Sequence, residues 1–155
     1  MQRRTLIALA ALAASPWARA HHGWSGFDQD RPLYLEGKAL TVGWHNPHAE
    51  VELEVPPELK LPADLARRSV PAQSYGLDGA HVLATAGLPT RKDRVWHIEL
   101  APLTRLEAWK VTEIKPGDAI AVVGYAAQGE KGDAVLRAEY LFAAGKIFGL
   151  RSPPA

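Results

Sequence analysis

Residues 33–55 read LYLEGKALTVGWHNPHAEVELEV, and this stretch decides the fold. In its first half Leu33, Leu35, Gly37, Ala39, Thr41 and Gly43 alternate with Tyr34, Glu36, Lys38, Leu40 and Val42. In its second half Val51, Leu53 and Val55 alternate with Glu50, Glu52 and Glu54. A two-residue period gives each strand one buried and one wet face. Between the halves lies Trp44-His45-Asn46-Pro47-His48, where Pro47 removes a backbone donor and biases Asn46 away from the helical region. The stretch reads as a β-hairpin with the His-Asn-Pro-His segment at its tip. Gly37 marks an expected bulge or sharp bend.

Further strands follow at Val95 to Leu100, Ala119 to Tyr125, Leu136 to Phe142 and, after the Ala144-Gly145 turn, Lys146 to Leu150. Thr104-Arg105-Leu106-Glu107 has capping-box spacing, which predicts a helix from Thr104 to about Glu113. Lys115-Pro116-Gly117-Asp118 is a β-turn that stops it. Strand, strand, strand, helix, strand, strand is the order of a small OB-like, partly open barrel, mainly β, with one helix after the third strand. Residues 56–94 interrupt that order. Prolines 56, 57, 62, 71 and 89 punctuate them, and only Pro62 to Arg68 reads as a short helical turn. A connection this long is expected to be functional or disordered. Residues 151–155 read as a frayed tail.

Upstream, Arg3 and Arg4, the apolar run Leu6 to Ala14 and the small-x-small Ala18-Arg19-Ala20 make residues 1–20 a cleavable signal peptide. The apolar run is too short to span a bilayer, which takes about 20 residues. The paired arginines are also compatible with the twin-arginine route. The expected mature chain is one domain over residues 21–150 with the 56–94 insertion, periplasmic or secreted, with no membrane span after processing. The chain carries 18 basic and 17 acidic side chains; the signal holds three of the basic ones, which leaves 15 against 17. That balance argues against nucleic-acid binding. There is no cysteine, so a metal site must use imidazole, amine, carboxylate or carbonyl groups.

Several short motifs stand in order along the chain: Ala20-His21-His22, Leu35-Glu36-Gly37-Lys38, Asn46-Pro47-His48, Trp96-x-x-Glu99-Leu100, Lys115-Pro116-Gly117-Asp118 and Leu136-Arg137-Ala138-Glu139. Together they resemble a family of small exported bacterial proteins known only as a domain of unknown function. The resemblance implies an exported, mostly-β protein and supplies no activity. The Pro56 to Arg94 insertion departs from it, because the relatives have a shorter connection there.

Six histidines, at 21, 22, 45, 48, 81 and 97, fall in the mature part. Cleavage after Ala20 makes His21 the first residue, with an α-amine and an imidazole on one residue. Both donors are available to a metal near neutral pH. Such a nitrogen-rich set favours Cu(II). His21, His22, His45 and His48 are therefore the expected copper ligands, in a carrier or resistance accessory. The competing expectation is an envelope module that contacts a protein or glycan without metal, with His45 and His48 serving only the turn. His97 on a strand and His81 in the insertion read as structural. No nucleophile–base ordering or phosphate-cradling loop is present, so an enzyme is the least supported class.

Overall fold

The computed structural model describes residues 23–155; the expected signal peptide and the pair His21 and His22 lie outside them. Six strands are formed: β1 (Leu33–Gly43), β2 (Glu50–Glu54), β3 (Val95–Glu99), β4 (Ala119–Tyr125), β5 (Val135–Ala143) and β6 (Lys146–Gly149). Antiparallel pairing runs β3-β2-β1-β4-β5-β6, and β3 also pairs with β5 in parallel. That last pairing closes β1, β2, β3, β5 and β4 into a five-stranded barrel, as the element order predicts. Its interior is filled by the alternating apolar set, including Leu33, Leu35, Val51, Leu53, Trp96, Ile98, Val122 and Leu136. No helix among the described residues is long and apolar enough to cross a membrane.

The alternation of β1 breaks once. Its register with β2 passes from Ala39↔Leu53 to Thr41↔Glu52, so Leu40 is the extra residue of a bulge. Beyond it Val42 pairs with Val51 and packs against the core, although simple alternation put it on the wet side. The bulge expected at Gly37 is therefore three residues later. Gly37 serves a different need: a Cβ there would run into the backbone carbonyl of Glu54.

The insertion is built rather than loose. A single 3-10 turn at Leu65–Arg67 and the helix α1 (Gly79–Thr85) set Leu65, Val82 and Leu83 against Tyr34, Val123 and Tyr140 on the outer face of the sheet. Tyr34 and Tyr140 are buried for this reason, from the side that alternation alone marks as wet. The tail is paired too. The Gln73 side-chain oxygen accepts the amides of Arg151 and Ser152, and Ser74 and Ala155 donate backbone bonds to Pro153 and Ala72.

The helix after β3, α2 (Leu103–Ala108), is present but the capping box is not. Pro102 stands at the N-cap, and the Leu103 amide is capped by Asn46 Oδ1 from the β1–β2 loop at 3.2 Å. The helix stops well before Glu113 because Lys110 turns left-handed, at φ 55°, while Lys110 and Val111 return their amides to Glu107 and Leu106.

Glu130, in the β4–β5 connection, ties that connection to the insertion. Its nearly sealed carboxylate accepts the Thr90 and Arg91 amides and pairs with Arg31 at 2.7 Å. Burial pushes this carboxyl up, but the amides and Arg31 outweigh it and hold its pKa below the ordinary value. A lowered acid contributes stability above its unfolded pKa, about 4.3, and that contribution is lost as pH falls through the folded value. Glu130→Gln should therefore unfold about 1–3 kcal/mol more easily at neutral pH and show a shallower acid limb in urea melts taken at decreasing pH. An unchanged acid limb would contradict this assignment.

Candidate functional site

The β1–β2 loop carries the two predicted histidines and sends them to different surroundings. Its Asn46–Pro47 peptide is cis. Trp44 is half-buried and packs against the core. His45 is exposed; its ring lies beside Gly43, and its Nδ1 is 3.2 Å from the Asn46 carbonyl oxygen. His48 is half-buried, with Nε2 3.2 Å from Arg137 Nη2 on β5. Arginine can only donate, so in this contact Nε2 is the acceptor. Asn46 is spent on α2, which anchors the loop across the fold.

Beyond the loop, the outer face of the β2–β3–β5 wall is polar. The register sets Glu50 opposite Glu99, Glu52 opposite His97, and Glu99 opposite Arg137. His97 Nε2 lies 3.4 Å from Glu50 Oε2, and Arg137 Nη1 lies 3.6 Å from Glu99 Oε2. The Arg137 side chain is only 9% exposed, and burial lowers its pKa from the usual arginine value. It stays charged because the starting value is far above neutrality.

The first described residues come to this cluster. Arg137 stacks on Trp24 with its guanidinium carbon 4.7 Å from the ring centre, and on Phe27 at 6.0 Å. The other side of the arrangement is Arg151, 3.9 Å from the Trp24 ring and bonded at 2.7 Å to the fully buried Glu139. Burial pushes the Glu139 carboxyl up against the opposing pull of Arg151 and Gln73. The Asp28 amide completes the attachment by donating to the Ala126 carbonyl. Residues 24–28 are thus fastened to β5 and the end of β4, in part through the arginine that contacts His48.

The structure brings together His48, Arg137 and Glu99, with the His97–Glu50 pair next in the register. It leaves His45 on its own loop and His81 exposed on α1. Among the described residues, no three histidine, aspartate or glutamate side chains form a group able to hold a metal ion. His21 and His22 lie outside those residues. Sequence reasoning missed Arg137 and Glu99, which sit in ordinary alternating strands. Only the parallel closing register makes them neighbours.

Residues 8–60 match the model of a family of unknown function, DUF6152. The match runs from within the expected signal through both histidine clusters and the whole β1–β2 hairpin, and stops short of β3 to β6. No curated protein and no solved structure matches the chain.

Arg137→Met should release the N-terminal segment without opening the barrel. Two arginine–tryptophan stacks hold Trp24, and a desolvated one is worth up to about 2 kcal/mol. Limited proteolysis should then cut before Leu33 roughly tenfold faster, with a barrel-sized fragment surviving. Unchanged protection of residues 24–32 would contradict the role given to Arg137.

Proposed function

We propose that the chain is exported, cleaved after Ala20, and binds one copper ion at its new N-terminus as a carrier or resistance accessory. The α-amine and imidazole of His21 supply the chelate, and His48 joins it from the loop, with His22 as a further donor. The observation that carries this reading is that Trp24 is fastened to the arginine that touches His48. His21 precedes Trp24 by three residues, a span of at most about 11 Å, which is compatible with its donors reaching His48.

Chemistry supports the same set. An amine and imidazoles are neutral donors that prefer Cu(II) among the common divalent ions. To ligate through Nε2, His48 must give up its contact with Arg137, whose guanidinium keeps Glu99. The carboxylates Glu50 and Glu99 offset the added positive charge without serving as ligands. His45, turned to its own loop carbonyl, is not part of this set. Protons compete for the amine and the imidazoles, whose ordinary pKa values are about 8 and 6.5, so affinity falls as pH drops below neutrality.

The test is a Cu(II) titration of protein whose first residue is His21. One equivalent should bind, and acetylation of the His21 α-amine should weaken it by at least about tenfold, as loss of a ligand does. His48→Ala should weaken it by at least about tenfold and His45→Ala by little, the range expected of a single lost ligand contact. Equal affinity with the α-amine blocked would overturn the N-terminal site, and no binding at all would leave the metal-free envelope module in its place. Export is checked separately, by N-terminal sequencing of the protein recovered from the cell envelope.

A further inference from the structure

The insertion covers the outer face of the sheet only in part. Leu65, Val82 and Leu83 seal it over Tyr34, Val123 and Tyr140, and the cover ends at Arg68. Beyond that edge lies an open groove of about 880 Å³, within the size range of small-molecule sites. Its floor is apolar and shallow-chained: Ala119, Ile120 and Ala121 from β4, with Phe142 and Ile147 from the β5–β6 hairpin. Pro56 and Pro57 form the wall toward β2.

The rim is basic. Lys38, Arg68, Arg94 and Lys146 line it together with two carboxylates, Glu36 and Glu54. Glu54 is 3.8 Å from Arg94, and Glu36 accepts the Tyr34 hydroxyl at 2.6 Å. Arg68 is bonded through two nitrogens to Asp64 and lies over the Phe142 ring at 5.6 Å. Lys38 and Lys146 remain: both are exposed, and among the described residues neither has a carboxylate within ion-pair distance. An apolar trough with two uncommitted ammonium groups at its mouth matches an amphiphile with one negative head.

We propose that this groove binds a small carboxylate with an apolar body, a medium-chain fatty acid or an aryl acid of similar length. The tail lies on Ala121, Phe142 and Ile147, and the head sits between Lys38 and Lys146. The site is independent of the copper reading. Phe142 is five residues along β5 from Arg137, about 17 Å of strand, and no histidine among the described residues lines the groove.

Octanoate is the probe, with 1-octanol and octyltrimethylammonium as neutral and cationic controls, titrated into labelled protein and followed by backbone amide shifts. Octanoate should give saturable shifts confined to residues 36–38, 119–121 and 142–147, and both controls should bind at least tenfold more weakly. The double variant Lys38→Gln, Lys146→Gln should lose about tenfold in octanoate affinity. Ala119→Trp, at an exposed position on the groove, should abolish the shifts while leaving the rest of the spectrum intact. Equal binding of octanol, shifts scattered elsewhere, no saturable shifts, or an unaffected lysine variant would each overturn the proposal.

Discussion

The parallel pairing of β3 with β5 is the constraint on which the molecule depends. It is short, His97↔Val135 to Glu99↔Arg137, but it turns a folded-over sheet into a closed barrel. Closure removes two strand edges and buries Trp96, Ile98 and Leu136 against one another. It also decides the chemistry outside. Glu99 and Arg137 become neighbours only through this register, and Arg137 in turn gathers His48, Trp24 and Phe27.

A nearly buried guanidinium is costly unless its charge and its donors are met. Here it is met by a carboxylate on one side, an imidazole on another and aromatic faces above. This arrangement specifies the path of the N-terminal segment more than it adds stability. The same logic recurs at Glu139, where Arg151 and Gln73 surround a fully buried carboxylate and, through it, fasten the tail. Charged groups on the β5 outer face act as fasteners for both terminal segments.

What the sequence made legible was what is local. The β1–β2 hairpin, the strand Ala119–Tyr125 and the polar turns follow from alternation and turn residues within a few positions of one another. The parts that alternation misplaces depend on distant partners. Val42 turns inward because of a bulge whose cause lies in the pairing with β2, and Tyr34 is buried because α1 and the Leu65–Arg67 turn cover it. The Thr104–Glu107 spacing promised a capping box, but Asn46, 57 residues away, caps that helix instead. The paired tail was equally hidden, since its partner Gln73 sits in the segment with the weakest pattern. For the site, the two histidine clusters were visible as residue types. That His48 turns toward β5 while His45 stays with its loop was not, because both flank the same proline.

The proposed copper site joins the chain's expected first residues to the β1–β2 loop. Electron paramagnetic resonance of Cu(II) in protein that begins at His21, with His48 either present or replaced by alanine, tests it most directly. Nitrogen hyperfine structure in the parent should require one more coordinated nitrogen than in the His48→Ala protein, while His45→Ala should leave the spectrum unchanged. Identical spectra for the parent and the His48→Ala protein would contradict the account.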